Sequence, residues 1–89
     1  MEFEWDEDKR AANFTKHGLD LLRGTVLFDG RPRYTYSSPR AGEQRFVSVA
    51  LVGNEFVALV WTERGAVTRL ISLRRARNGE KGAYRAIFG

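Results

Sequence analysis

The sequence predicts a single α+β domain with N-terminal helices, a small antiparallel sheet and a C-terminal helix. Helix-capping residues cluster near the N-terminus, apolar runs separated by glycine turns occupy the middle, and a helical apolar stripe ends the chain. A chain of 89 residues can build one modest hydrophobic core. We therefore expect residues 1–89 to form one domain with a meander of three to four strands.

The N-terminal segment contains the signals for a short strand and a helix. Aromatic and acidic residues alternate over residues 2–5, which is compatible with a strand. Asp6 is a predicted N-cap for a helix over residues 7–17, and Gly18 is a typical C-terminal stop. These residues predict the first helix with both of its ends.

A second helix and a short strand are expected next. Asp20 can cap a helix that ends at residues 29–30. Pro32 and the turn at residues 37–39 then bracket a strand over residues 33–36.

The central part of the chain predicts an antiparallel meander. Three apolar runs bounded by glycine turns are the predicted strands: residues 44–52, 55–63 and 66–75. Two-residue connections at residues 53–54 and 64–65 are typical of hairpins. The apolar stripe over residues 80–88 predicts the final helix.

The strand pattern groups several polar residues. With two-residue turns, Arg45, Thr62 and Arg69 share one face of the sheet, and Arg69 lies opposite Val60. Arg74 then belongs to the other face, so Arg69 and Arg74 are expected to have different roles. A single-residue bulge would exchange these assignments.

Charge is distributed unevenly along the chain. The net charge is +4, but residues 64–89 carry seven cations against one acid, Glu80, whereas five acids occupy the first eight residues. A cluster of arginines favours a phosphate-bearing or acidic-protein partner. A G+C-rich genome would explain the excess of arginine over lysine, but it would not explain the clustering.

Composition and missing motifs exclude several functional classes. Without cysteine and with one histidine, the chain offers no disulfide framework and is a poor candidate for a zinc site. No phosphate-binding glycine loop, zinc-protease motif or nucleophile elbow is present. The longest apolar run is too short for a membrane helix, and the acidic N-terminus is unlike a signal peptide. We expect a cytoplasmic protein without metal, cofactor or membrane contact.

Two groups of residues are candidates for a functional site. Arg45, Thr62 and Arg69 would form a phosphate clamp. The alternative is that these arginines pair with nearby acids for stability alone. The acids considered are Glu43, Glu55 and Glu63.

The second group lies on the first helix. Asn13, Lys16 and His17 have the spacing of one helix face, and a histidine titrates near neutrality, as a general acid or base must. A histidine beside a helix-ending glycine also complements the helix dipole, and the residues alone favour that explanation. Trp61 could stack on a nucleobase and Tyr84 could donate a proton, but both are expected in the core.

Five motifs together resemble the BrnT toxins. They are F-E-W-D-x-x-K, N-x-x-K-H-G, E-x-R-F, T-E-R-G and R-L-I-S-x-R-R-A, at residues 3–9, 13–18, 43–46, 62–65 and 69–76. The motifs occur in order along almost the whole chain. Trp61 departs from the pattern, since many relatives have a polar residue there.

The resemblance implies a ribonuclease toxin of a type II toxin–antitoxin system with a fold related to RelE toxins. It also implies a BrnA-like antitoxin with a DNA-binding domain, assembly into a heterotetramer, and repression of operator DNA through the antitoxin. Cleavage of RNA would proceed without metal, by attack of the 2′-hydroxyl group on the adjacent phosphate. The alternative is a non-catalytic module that binds nucleic acid or antitoxin and acts as a co-repressor.

With the resemblance, the candidate residues fall into two sets. Catalysis is assigned to five residues: Arg69, Arg45, His17, Lys16 and Glu63. Binding of RNA phosphates is assigned to four residues: Arg74, Arg75, Arg64 and Thr62.

Overall fold

A computed structural model describes all residues, Met1–Gly89, and has the expected α+β class. It contains a five-stranded sheet, two α-helices and one 3₁₀ helix. The strands are β1 (Glu2–Glu4), β2 (Tyr34–Ser37), β3 (Phe46–Val52), β4 (Glu55–Arg64) and β5 (Val67–Arg75). The helices are α1 (Glu7–His17), the 3₁₀ helix (Leu21–Phe28) and α2 (Asn78–Phe88). No helix combines the length and the apolar character needed to cross a membrane.

The ends of α1 follow the expected capping. The Asp6 carboxylate accepts hydrogen bonds from the backbone N–H groups of Asp8 and Lys9, at 2.8 and 3.3 Å. Gly18 adopts φ 69°, in the left-handed region, and its N–H donates to the Phe14 carbonyl. The predicted helix over residues 7–17 is confirmed at both ends.

The sheet is mixed rather than purely antiparallel. The strand order is β1-β5-β4-β3-β2, and β1 runs parallel to β5 with Glu4 beside Arg69. The expected antiparallel meander of three to four strands is therefore only part of the sheet, and the expected RelE-like architecture is matched in part. A three-residue strand that pairs with a distant part of the chain has no connecting turn to reveal its partner.

A β-bulge changes the predicted register between β4 and β5. Trp61 pairs with Leu70, whereas Val60 pairs with Ser72, so Ile71 is an extra residue in β5. The hairpin turn also lies one residue later than predicted, because Arg64 pairs with Val67. A one-residue insertion reverses which face the following side chains occupy.

The bulge overturns the predicted separation of two arginines. Arg69 pairs with Thr62 and not with Val60, and Arg74 pairs with Ala58. Since the extra residue lies between them, Arg69 and Arg74 share one face of the sheet. The prediction that they occupy opposite faces was wrong.

The two faces of the sheet have different coverings. One face, which we call the core face, packs against the 3₁₀ helix and holds the larger apolar cluster: Leu19, Leu21, Leu27, Ala50, Val57, Leu59, Trp61, Leu70 and Leu73. The other face, which we call the α2 face, packs against the C-terminal helix through a smaller cluster: Val47, Val49, Ala58, Ala76 and Tyr84. The part of the α2 face beyond this smaller cluster carries the arginines.

Asn13 fastens α1 to the edge of β5. Its amide N–H group donates to the carbonyls of Leu73 and Leu19, both at 2.9 Å, and its carbonyl oxygen accepts from the Leu73 N–H. The pairing of β1 with β5 ends at Arg69. Beyond that point, the buried Asn13 side chain supplies hydrogen-bond partners to the backbone of β5. The contact places the C-terminal turn of α1 beside β5.

Candidate functional site

The α2 face contains a small cavity surrounded by arginines. Its volume is about 130 Å³, and its wall is formed by Tyr36, Ser38, Arg40, Arg45, Val47, Val60, Arg74 and Arg77. Four guanidinium groups around one small space can present several N–H donors to a single oxyanion. We call this space the arginine cavity.

A buried ion pair forms one wall of the arginine cavity. Arg74 makes a bidentate contact with Glu80, at 2.8 and 2.9 Å, and their side chains are only 14% and 8% exposed. Glu80 also accepts hydrogen bonds from the Tyr36 hydroxyl and from the Arg77 backbone N–H. The network joins β2, β5 and the start of α2, so it holds the cavity in shape.

The protonation states of this network follow from its contacts. Burial works against ionisation of Glu80, but hydrogen bonds from Arg74, the Arg77 N–H and Tyr36 outweigh it and lower the pKa to about 2. Burial, together with the bond to Glu80, raises the pKa of Tyr36. At neutral pH, Glu80 is an anion and Tyr36 keeps its proton, so the charge of Arg74 is balanced.

The remaining arginines of the cavity are less completely neutralised. Arg45 donates through Nε to Glu43 at 2.9 Å, and neither of its Nη atoms takes part in a hydrogen bond within the chain. Arg40 and Arg77 are exposed, and neither forms a salt bridge. These three side chains are the available donors for a bound anion.

Sequence reasoning missed Arg40 and Arg77. Arg40 reaches the cavity because its backbone pairs with Glu43 in an isolated bridge, which folds the segment before β3 onto the sheet. Arg77 caps the start of α2, directly after the basic end of β5. The dense run of arginines over residues 74–77 was a usable signal for Arg77, whereas Arg40 had none.

Arg45, Thr62 and Arg69 lie side by side across the α2 face, as expected. Thr62 pairs with Arg69, and Arg45 comes directly before the residue that pairs with Trp61. The Thr62 side chain is buried, however, and its hydroxyl donates to the Gln44 carbonyl. Thr62 therefore has no hydroxyl proton to offer a phosphate.

Acidic partners partly neutralise the predicted clamp. Arg45 pairs with Glu43. Glu43 is one of the acids that were considered as partners if the arginines serve stability alone. Arg69 pairs instead with Glu4 of β1, at 3.5 Å between Nη1 and Oε1. That contact was not foreseen, because it depends on the parallel pairing of β1 with β5.

A second basic cavity adjoins the first along β5. It has a volume of about 170 Å³ and lies between α1 and β5, where it is lined by Lys9, Ala12, Asn13, Lys16, His17, Ile71 and Ser72. Ser72 and Arg74 are two residues apart on one face, which corresponds to roughly 7 Å along a strand. We call this space the α1 cavity.

His17 is the only histidine, and its surroundings favour its neutral form. Burial, followed by the positive charges of Lys16, Arg74 and Arg75, lowers the pKa of the imidazole. A neutral imidazole at physiological pH can accept a proton.

Five of the predicted residues line neither cavity: Arg69 and Thr62 of the row described above, and Glu63, Arg64 and Arg75. Glu63 pairs with Thr68 and lies on the core side of the sheet, exposed at the end of β4. Arg64 contacts Glu43 at 3.4 Å, and Arg75 binds Glu55 at 2.9 Å. The fold does not bring Glu63 to the Arg45 and Arg69 row, so it is poorly placed to act as a base there.

Trp61 and Tyr84 belong to the core, as expected. Trp61 is 7% exposed, and its indole N–H donates to the Ser48 hydroxyl at 2.8 Å. Tyr84 is 8% exposed and packs edge-on against Phe56, with 5.2 Å between ring centroids. Neither ring is available to a ligand.

The fold and the two basic cavities define a small basic α+β domain suited to a phosphate-bearing ligand. No group of three or more histidine, cysteine, aspartate or glutamate side chains is placed to hold a metal ion. A family model described as the ribonuclease toxin BrnT of type II toxin–antitoxin systems matches residues 5–80. The chain belongs to this family, which confirms the resemblance of its motifs. A comparison with curated proteins found no match.

The chain is a member of a family of ribonuclease toxins, and a type II system implies a protein antitoxin as its partner.

Proposed function

We propose that this protein is a metal-independent endoribonuclease that holds the scissile phosphate in the arginine cavity. The observation that carries the proposal is the convergence of Arg40, Arg45, Arg74 and Arg77 on one space of about 130 Å³. In RNA cleavage by the neighbouring 2′-hydroxyl group, negative charge accumulates on the phosphate in the transition state. Fixed cationic donors stabilise that charge, and such stabilisation is usually the largest contribution to catalysis.

The residues of the cavity take different roles. Arg40, Arg45 and Arg77 donate hydrogen bonds to the phosphate oxygens. Arg74 is a positioning residue, because its guanidinium is held in the bidentate pair with Glu80. This pair holds the wall of the arginine cavity in place.

Residues outside the arginine cavity complete the proposal. Arg69, Arg64 and Arg75 contribute positive charge around the RNA. His17 accepts the proton of the 2′-hydroxyl group, and Lys16 adds positive charge beside it in the α1 cavity.

The bonds of the reaction balance without a cofactor. The 2′-oxygen gives its proton to His17 and forms a bond to phosphorus, and the bond to the 5′-oxygen breaks. That oxygen takes a proton from water, and the hydroxide left behind takes the proton from His17. The products are a 2′,3′-cyclic phosphate and a 5′-hydroxyl end.

The proposed partner is a BrnA-like antitoxin with a DNA-binding domain, in a heterotetramer that represses its operon. Besides the family, the exposed apolar residues support a protein partner. They are Phe14, Leu51, Ile87 and Phe88, at 59%, 41%, 61% and 44% exposure. We place the toxin in the cytoplasm, where its RNA substrate and its antitoxin are found.

Replacement of single arginines tests the proposal. Arg45→Ala and Arg77→Ala are each expected to lower RNA cleavage on the order of 10²–10³-fold, because each removes one donor to the phosphate. Arg23→Ala is the control, since Arg23 is exposed on the 3₁₀ helix and makes no salt bridge. Cleavage is measured with purified protein in EDTA, and the product ends are identified.

The outcomes separate the proposal from its alternative. Undiminished cleavage by Arg45→Ala and Arg77→Ala would show that the arginine cavity is not the site. Cleavage that stops in EDTA and returns with Mg²⁺ would refute metal independence. Salt-sensitive binding of RNA that stays intact would favour the non-catalytic co-repressor. Expression of Arg69→Ala without antitoxin should arrest growth less than the unchanged toxin does, because one positive charge beside the RNA is lost, although the folded variant still binds the antitoxin.

A further inference from the structure

An open groove with aromatic residues in its wall adjoins the arginine cavity. The groove has a volume of about 430 Å³ and lies between β2 and the first half of α2. Its lining residues are Tyr34, Tyr36, Arg77, Gly79, Glu80 and Ala83. Tyr36 and Arg77 line both spaces, so the groove and the cavity are continuous.

We propose that this groove binds a nucleobase of the RNA strand whose phosphate occupies the arginine cavity. The inference rests on the proposed function and adds to it a base-binding subsite. Tyr34 is the residue that the base contacts, and Tyr36 fixes the position of Tyr34 from the side of the arginine cavity.

The two tyrosines form an aromatic surface in which only the Tyr36 hydroxyl has a hydrogen-bond partner within the chain. Their ring centroids are 5.8 Å apart and their planes are inclined by 32°. The hydroxyl of Tyr36 is held by Glu80, whereas the hydroxyl of Tyr34 makes no hydrogen bond within the chain. Tyr34 is half-buried, so part of its ring is open to a ligand. Nucleobases stack on such rings with little dependence on sequence.

The opposite wall leaves room for a flat ring. Gly79 has no side chain, and a Cβ atom built there would meet no atom within 4 Å. Ala83, one turn later, adds only a methyl group. A volume of about 430 Å³ with apolar walls and a few polar groups is typical of small-molecule sites.

Continuity with the arginine cavity favours a nucleobase over other occupants. In a nucleic acid, every base is joined to a phosphate through one sugar, so adjoining phosphate and base sites suit a single nucleotide. Arg77 lies between the two spaces and can contact either the phosphate or the base edge. A groove for an apolar peptide side chain would not need an arginine at this boundary.

Binding of an uncleavable oligonucleotide tests the proposal directly. The probes are short 2′-O-methyl oligouridylate and oligoadenylate, which lack the attacking hydroxyl, and an abasic oligonucleotide of equal length. Tyr34→Ala should weaken binding of the base-bearing probes roughly 5- to 150-fold, the range of one stacking contact. Tyr34→Phe keeps the ring and should bind as the unchanged protein does. The abasic probe should bind all three proteins equally.

A second pair of variants fills the groove without touching the tyrosines. Gly79→Leu should weaken binding of the base-bearing probes, because its side chain occupies the groove. Gly79→Ala is the matched control, since it also replaces the helix-weakening glycine but adds only a methyl group. Thermal unfolding of both variants checks that α2 is intact.

Equal binding of the base-bearing probes by Tyr34→Ala and the unchanged protein would overturn the inference. So would an equal loss with the abasic probe, since the effect would then act through the backbone contacts. If Tyr34→Ala or Gly79→Leu loses binding of the antitoxin but keeps binding of the RNA probes, the groove is a protein interface and the inference is wrong. Failure of the proposed function appears separately, as intact RNA in the cleavage assay, because the binding assay needs no cleavage.

Discussion

Arginine side chains on the α2 face divide according to whether an acid neutralises them. Arg74 is paired with Glu80 and Arg69 with Glu4, so an acid within the chain partly neutralises each of these two charges. Arg40 and Arg77 have no acidic partner and keep their charge for a ligand. Arg45 lies between these two groups, because Glu43 holds its Nε and leaves both of its Nη atoms without a partner in the chain.

The buried pair of Arg74 and Glu80 predicts a specific loss of stability in acid. Glu80 has a pKa of about 2 in the folded protein and an ordinary value of 4.5. The unfolded protein therefore binds this proton more readily, and the stabilisation is complete above pH 4.5 and declines as the pH falls to about 2. At 1.36 kcal/mol for each pH unit, the loss is about 3 kcal/mol.

Glu80→Gln should lack this part of the acid dependence. Between pH 5 and pH 2, its free energy of unfolding should fall by roughly 3 kcal/mol less than that of the unchanged protein. Asp20 and Asp29, with pKa values of about 2, titrate in both proteins and cancel in the comparison. Urea unfolding across this pH range measures the difference. If the free energies of unfolding of the two proteins fall in parallel, Glu80 does not stabilise the fold through its lowered pKa.

At the scale of elements, the bulge in β5 decides which of its side chains face α2. Ile71 is the extra residue, and it allows Leu73 to enter the core while Arg69 and Arg74 share the α2 face. A regular strand would place one of these two arginines on the core face in either register. Bulges near functional sites commonly redirect side chains in this way.

The 3₁₀ helix packs closely on the sheet at a single glycine. A Cβ atom at Gly24 would lie 2.7 Å from Cδ1 of Leu59, which is fully buried. Gly24→Ala is therefore expected to lower the free energy of unfolding by about 1–3 kcal/mol, since a well-packed core resists an added methyl group. Urea denaturation measures the change.

Two further variants test this contact. Gly24→Ala combined with Leu59→Val should cost less than the sum of the single changes, because valine withdraws the clashing atom. Gly82→Ala adds its methyl group where nothing lies within 4 Å and should stabilise the protein slightly. Additive costs at positions 24 and 59 would contradict the close packing of the 3₁₀ helix.

At the scale of the whole molecule, basic side chains collect along one strand of the sheet. The net charge is +4, and both basic cavities lie along the strand β5. Acids of the N-terminal segment cap α1 or pair with Arg69. The uneven charge of the sequence thus becomes two adjoining basic cavities in the folded protein.

Salt dependence measures how many RNA phosphates these cavities neutralise. In a plot of the logarithm of RNA affinity against the logarithm of salt concentration, the slope for a single strand is about −0.7 for each phosphate neutralised. Arg40→Ala should reduce the magnitude of the slope by about 0.7, because it removes one unpaired cation from the site. Arg23→Ala should leave the slope unchanged. Equal slopes for the two variants would show that Arg40 does not contact an RNA phosphate.

Local patterns of the chain were sufficient for most of the secondary structure. Asp6 and Gly18 mark the ends of α1, because capping depends on neighbouring backbone groups alone. Gly53 and Gly65 adopt positive φ in the hairpin turns, which explains why glycines separate the strands. Arg45, Thr62 and Arg69 were correctly grouped, since alternation along a strand is also local.

Contacts between distant parts of the chain were decided only by the tertiary structure. The parallel pairing of β1 with β5 sets Glu4 against Arg69, and the bulge at Ile71 brings Arg74 to the same face. The arginine cavity likewise gathers Arg40, Arg45, Arg74 and Arg77 from separate segments of the chain. The sequence by itself determined the family, the class of fold and the basic character of the site. The packing of the sheet decided which arginines remain free, because pairing with an acid requires closeness in space rather than along the chain.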